Sequence, residues 1–230
     1  MLELFSSLAF VPLLLTVGAY QVGLMCQKKW KTAFCHPILV SVVLIIAVLL
    51  ITDYPIDVYQ KGNAWISWLM TPATIALAVP AYNHIKVLKK NLPAILAGVL
   101  TGAAVALLFI LGMCLLLKLD TPITVSLLPK SITTAIGIVL SEESGGIPAL
   151  TTIAIFISGF MGALLCKPLC KLFRLNDPIS QGVAIGTASH AFGTYAAMDI
   201  SPLHGAVSSL SLAIAGLFTA VIFPLVLLLL

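Results

Sequence analysis

The chain has 230 residues, 60% of them hydrophobic and only 9% charged, with a formal net charge of +4. A soluble domain carries about 25% charged residues, so this composition excludes a soluble enzyme and a nucleic-acid-binding domain. What remains is an all-α polytopic membrane protein, a reading that the mean hydropathy of +1.15 supports.

Residues 6–26 form the first apolar run. Glu3 precedes it and no Lys or Arg does. A secretory signal needs a basic stretch there, so the run is expected to be a retained first helix. Further apolar segments follow at 36–52, 64–82, 92–117, 121–141, 146–166, 178–198 and 203–230. Most match the roughly 20 residues that cross a hydrocarbon core. Pro72 and Pro80 are expected to kink 64–82, since a proline inside a helix removes a hydrogen bond and crowds the preceding turn. The cysteines at 26, 35, 114, 166 and 170 have no CxxC spacing. Cys166 and Cys170 share a helix face but lack His or carboxylate partners, so neither a metal nor any other cofactor is expected.

The breaks between segments carry the topology. Lys28, Lys29 and Lys31 fill one break, Lys86, Lys89 and Lys90 another, and Lys167, Lys171 and Arg174 a third. Cytoplasmic loops are enriched in Lys and Arg, which puts 27–35, 83–91 and 167–177 inside, and 53–63 and 199–202 outside. Alternation fails between Lys90 and Lys167 unless one segment does not cross. Segment 121–141 contains Pro122, Pro129 and Lys130 and suits a broken or re-entrant element. Such backbone is tolerated at membrane depth where protein or a polar cavity surrounds it. The resulting expectation is seven crossings plus this one element, with the N-terminus outside and the C-terminus cytoplasmic.

The two halves, 1–118 and 119–230, resemble each other weakly. Thr71-Pro72 and a run to Asn83-His84 parallels Asp177-Pro178 and a run to Ser189-His190. The charge-derived topology gives the paired segments opposite directions. Inverted repeats with interrupted helices are a transporter architecture, with the site near the midplane.

Three constellations carry the candidate chemistry. Gly182, Gly186, His190 and Thr194 fall on one i,i+4 row, adjoined by Thr187 and Gly193. Gly182 and Gly186 let another helix approach closely. A packing stripe explains the glycines but not a histidine at membrane depth, where an ionisable group marks a functional site by default. Ser189 points away from His190 on a helix, which argues against a hydrolytic pair, and no enzyme is expected. Second, Leu128-Pro129-Lys130-Ser131-Ile132-Thr133-Thr134 places an ammonium beside hydroxyls and a helix start, a combination suited to a carboxylate. The alternative is a lysine snorkelling to the interface. Third, Glu142-Glu143-Ser144-Gly145-Gly146 reads as an acidic turn, with Gly145 and Gly146 supplying its backbone freedom.

These motifs identify a resemblance. The Leu128–Thr134 run, Gly145-Gly146-Ile147-Pro148-Ala149, and Gly186-Thr187-Ala188-Ser189-His190-Ala191-Phe192-Gly193-Thr194 are similar to the LrgB/CidB family over nearly the whole chain. Glu142 and Glu143 stand where relatives often have Gly or Ala. The resemblance implies two functions. Some members are described as holin-like or antiholin-like proteins of the bacterial plasma membrane, paired with a smaller LrgA/CidA-type partner and linked to murein hydrolase control. Others look like carriers of pyruvate, glycolate or glycerate. A lysis pore has no use for a buried lysine, a buried histidine or an interrupted repeat, so a carboxylate carrier working by alternating access is the expectation. Its substrate site is expected at Lys130, Ser131, Thr133, Thr134, Thr187, Ser189, His190 and Thr194. Proton or cation coupling and a homo-oligomer complete it.

Overall fold

The computed structural model describes residues 10–30 and 36–230. Glu3, Lys31 and Cys35 lie outside the described residues. Every regular element among the described residues is helical, so the chain is an all-α, multi-pass membrane protein. The helices form two compact units that divide between Ile75 and Ala76.

The first unit contains α1 (Phe10–Trp30), α2 (Pro37–Thr52), α3 (Ile56–Gly62) and most of α4 (Ala64–Ala76). α1 and α2 pair where Gly23 meets the Pro37 backbone. Thr16 Oγ1 lies 2.7 Å from Tyr59 Oη and 3.0 Å from Asn63 Oδ1, which ties α3 to α1. Asp53 ends α2 in a left-handed conformation, φ 47°. Pro72 sits inside α4, and the helix breaks at Leu77, between the two prolines of the segment.

The second unit holds α5 (Ala78–Asn83), α6 (Ile85–Lys90), α7 (Leu92–Leu116), α8 (Thr121–Leu127), α9 (Thr134–Glu143), α10 (Pro148–Leu172), α11 (Pro178–Met198) and α12 (Pro202–Leu227). A proline opens the first turn of each helix from α7 on, except α9. It sets φ and gives up an N–H that would have no partner there. α7, α10 and α12 are 25, 25 and 26 residues long and apolar enough to cross a membrane. Ile95, Val99 and Ala103 of α7 pack with Val207 and Ala215 of α12, and Leu107 and Leu111 pack with Phe223 and Val226. Early residues meet early ones and late meet late, so α7 and α12 run in the same direction.

Segment 121–143 does not cross. α8 and α9 have 7 and 10 residues, about 10 and 15 Å of helix against a core about 30 Å thick. The chain turns back between them. A Cβ on Gly137 would lie 3.4 Å from Pro129 O, and one on Gly146 would lie 3.1 Å from Ser126 Oγ. The Ile147 N–H donates to Ser126 Oγ at 2.7 Å, and Thr151 Oγ1 donates to Ser141 Oγ at 2.7 Å. The hairpin is therefore stitched to the start of α10.

Segment 178–198, expected to cross, also turns back. At His190 φ is 39° and ψ −134°, which ends one helical arm and begins another. Ala197 packs with Ile185 and Cys166, although residues twelve apart lie about 18 Å apart on a straight helix. A Cβ on Gly193 would lie 3.0 Å from Ile185 O. Thr194 Oγ1 lies 2.8 Å from Ser208 Oγ, and the backbone of that same serine faces Gly186. The count of seven crossings included 178–198, and without it six segments remain. The fold-back also corrects the placing of 199–202 opposite 167–177. His204 Nε2 donates to Gln181 Oε1 at 2.9 Å, so both turns lie at one end of the unit. That end also holds Leu88, packed with Val207, and with it Lys86, Lys89 and Lys90. The far end of α12 is opposite.

Candidate functional site

A hollow of about 700 Å³ lies between α7 and the first arm of α11. It runs from Ala94 and Leu175, at the basic end, to Lys130 and Ser131 at the tip of the first hairpin. Gly98, Gly102 and Ala106 recur every four residues along α7 and keep that wall thin. Val105, Phe109 and Ile110 are its apolar neighbours, and Ile179, Val183, Ala184 and Thr187 form the opposite wall. The lining contains one cation, three hydroxyls (Ser131, Ser180, Thr187) and no acidic side chain.

The local sequence accounts for the tip. Pro129 has no N–H to continue α8, and the chain closes two tight turns instead. Lys130 N–H donates to Leu127 O at 3.2 Å and Ile132 N–H to Pro129 O at 3.3 Å. Thr133, in an extended conformation, then starts α9. Lys130 is half-buried with its side chain in the hollow. Thr187 is only 7% exposed, and its Oγ1 has no hydrogen-bond partner. A buried hydroxyl without a partner is costly, and Thr187 lines the hollow and a small void shared with Ser131, Ile132 and Thr219, with its Cγ2 methyl toward Gly102 of α7.

The eight expected site residues separate into groups. Lys130, Ser131 and Thr187 come together in the hollow. Thr133 and Thr134 begin α9 beside the tip, half-buried and outside the lining. Ser189, His190 and Thr194 face neighbouring helices. Ser189 fits against α10 where Gly162 leaves room. His190 Nε2 donates to Ile155 O at 3.0 Å. Thr194 Oγ1 donates to His190 O at 2.9 Å. Among the packing residues, Gly182 and Gly186 receive α12, Gly193 sits inside the turn-back, and Gly145 makes the α9–α10 turn at φ 81°. Glu142 and Glu143 are exposed at the end of α9.

Two polar networks were not foreseen from sequence. One is the Ser126–Ser141–Thr151 cluster at the base of the first hairpin. The other is Ser201–His204–Gln181 at the base of the second, where Ser201 Oγ donates to His204 Nδ1 at 2.7 Å and Gln181 Nε2 donates to Leu175 O. Hydroxyls and amides within apolar runs were the available signal, but their partners are brought together only by the folding-back. Gly98, Gly102 and Ala106 were likewise missed, since small residues are common on apolar helices.

Asp177 caps α11. Its carboxylate accepts from Ser180 N–H at 2.8 Å and Ser180 Oγ at 2.9 Å. These bonds hold its pKa below the usual carboxylate value. A lowered folded-state pKa gives stability above the unfolded-state pKa, about 3.9, that is lost as pH falls through the folded-state value. Asp177→Ala should cost about 1 kcal/mol at pH 7 and progressively less below about pH 4. Thermal unfolding in detergent at the two pH values measures this.

The LrgB-like family model matches residues 16–229. The chain is 34% identical over 219 residues to the uncharacterized protein YxaC of Bacillus subtilis (strain 168), covering 95% of each chain. It is 34% identical over 221 residues to holin-like protein CidB of Staphylococcus aureus (strain Mu50 / ATCC 700699), covering 96% of each. Against CidB of Staphylococcus epidermidis (strain ATCC 12228 / FDA PCI 1200) the identity is 33% over the same length. No solved structure matches. With agreement spanning nearly the whole sequence, the chain belongs to the LrgB-like family.

Proposed function

We propose that the protein carries small monocarboxylates across a bacterial plasma membrane, binding them at the Lys130 end of the hollow. The observation that supports this is a single half-buried ammonium, Lys130, beside Ser131 and an unpartnered Thr187 hydroxyl, in a cavity with no acidic lining. A monoanion balances that charge and takes up the free hydroxyl. A dianion would leave its second charge against Val105, Phe109 and Val183. The start of α9, close to the tip, favours the same sign. By the basic-inside rule, the Lys86–Lys90 and Lys167–Arg174 end faces the cytoplasm. The C-terminal end of α12 is then outside, not cytoplasmic as the seven-crossing count required. The N-terminus stays outside, since Lys28 and Lys29 end α1.

Purified protein in sealed liposomes should take up labelled pyruvate or glycolate with saturation and mutual competition. Thr187→Val should weaken apparent affinity about five- to tenfold, the worth of one hydrogen bond of about 1 kcal/mol. Absence of saturable uptake of either acid would overturn the carrier reading. The names of the CidB relatives favour a second reading, a holin-like protein, which the family resemblance would pair with an LrgA/CidA-type membrane partner. Its signature is non-saturable release of an entrapped dye that Lys130 substitutions leave intact.

A further inference from the structure

We propose that His190 is a positioning residue. It latches the tip of the 178–198 hairpin to α10 and so sets the place of the arm that walls the hollow. This role rests on the carrier reading for its purpose, and the measurement below separates the two.

Three features converge on His190. The residue has φ 39° and ψ −134°, a region that a side-chain-bearing residue rarely adopts and that persists only when the surroundings hold it. What holds it is the ring. Nε2 donates to Ile155 O at 3.0 Å, Gly159 leaves space for the imidazole against α10, and Phe192 packs edge-on at 5.7 Å and 77°. Phe192 in turn meets Phe156 of α10 edge-on at 5.6 Å. His190 itself is not part of the hollow's lining.

The arm leading to His190 has contacts suited to movement. On one side it meets α12 through Gly182 and Gly186, and on the other it presents Val183 and Thr187 to the hollow. It touches α7 where α7 has no side chain, at Gly98 and Gly102. No lysine, arginine or carboxylate lies between Pro178 and Met198, so a shift of the arm breaks no ion pair of its own. Gln181 ties the base of the arm to His204 and Thr194 beyond the tip bonds Ser208 of α12, so the bond to Ile155 O is the directional contact between the tip and α10.

Hydrogen–deuterium exchange on the full chain in lipid nanodiscs tests the latch. His190→Gly removes the ring while glycine accepts the positive φ. It should raise exchange within 178–198 at least tenfold and leave α7 and α10 unchanged. His190→Gln, whose amide can donate to the same carbonyl, should restore most of the protection. In uptake assays with pyruvate, His190→Gly should lower the maximal rate at least tenfold and change KM less than twofold. Three results would overturn the latch: unchanged exchange in 178–198, exchange raised evenly over the whole chain, or a KM rise matching the rate loss, which marks a ligand contact. If wild-type protein takes up neither pyruvate nor glycolate, the carrier reading fails, and the exchange result alone still decides the latch.

Discussion

Lys130→Met should abolish saturable carboxylate uptake while the protein inserts, purifies and unfolds like the wild type. The two halves of that expectation have different causes. The ammonium is the sole charge lining the hollow, so it has no partner there whose loss would strand a second charge. Replacing it with an unbranched apolar chain of similar length fills the space and removes a poorly solvated cation, which leaves stability level or slightly improved. A bound carboxylate, in contrast, loses its counter-charge in a cavity walled by Val105, Phe109, Ile110 and Val183. Truncating one partner of a buried charge pair costs about 2–5 kcal/mol, so uptake at a fixed, sub-saturating concentration should fall by about thirtyfold or more. Lys130→Arg should rescue only partly. The guanidinium keeps the charge but is planar and wider than a compact ammonium, and the tip is fixed by the turns at Leu127–Lys130 and Pro129–Ile132. Uptake of labelled pyruvate beside thermal unfolding of the same preparations gives both quantities. Wild-type uptake by Lys130→Met would mean that the lysine only snorkels, and the anion site would have to be abandoned.

The difference between the two hairpins explains what the sequence made legible. The first one announces itself. Pro122, Pro129 and Lys130 within one apolar run are incompatible with an uninterrupted crossing, and the flanking basic clusters demand an even number of passes between Lys90 and Lys167. The second leaves no such trace. It has no proline between Ile179 and Ser201, its 21 residues equal one bilayer span, and its reversal falls on a histidine, not on a glycine. A length criterion therefore counts it as a crossing, and the error carries into the placing of 199–202 opposite 167–177. The row Gly182, Gly186, His190, Thr194 is one helix face by its spacing and holds only as far as His190. Gly186 and Thr194 nonetheless meet the same residue, Ser208, one from each arm. Lys130, Ser131 and Thr187 were legible as polar residues at membrane depth. That they share a cavity while Ser189, His190 and Thr194 face α10 and α12 depends on the fold-back, which no local signal encodes.

Gly186→Val should prevent the second unit from folding, and the reason is the nature of what the new atoms would meet. A Cβ at Gly186 would fall against the Ser208 carbonyl oxygen, with Ser208 Cα at 2.8 Å and the carbonyl carbon at 2.9 Å. These are backbone atoms inside α12, so no rotamer change can relieve the overlap. α12 would have to move away from the hairpin, yet Val207 and Phe223 anchor that helix in two buried apolar clusters with α7. Overpacking costs about 1–3 kcal/mol where side chains can shift, and more is expected where a helix backbone must. Three glycines calibrate the effect. Gly182 would meet Val207 Cβ at 2.7 Å, so Gly182→Ala should also destabilise, though less, because a side chain shares the strain. Gly98 would meet only Val183 Cγ1 at 3.0 Å, which a rotation of the valine relieves. Gly112 has nothing within 4 Å, so Gly112→Ala should be neutral or gain up to about 1 kcal/mol from helix propensity. Size-exclusion profiles and thermal unfolding of the four variants in detergent should follow that order. A Gly186→Val protein with wild-type thermal stability would show that the arm does not lie on α12, and with it the fold-back at His190, the wall of the hollow and the meeting of Thr187 with Lys130 would all have to be redrawn.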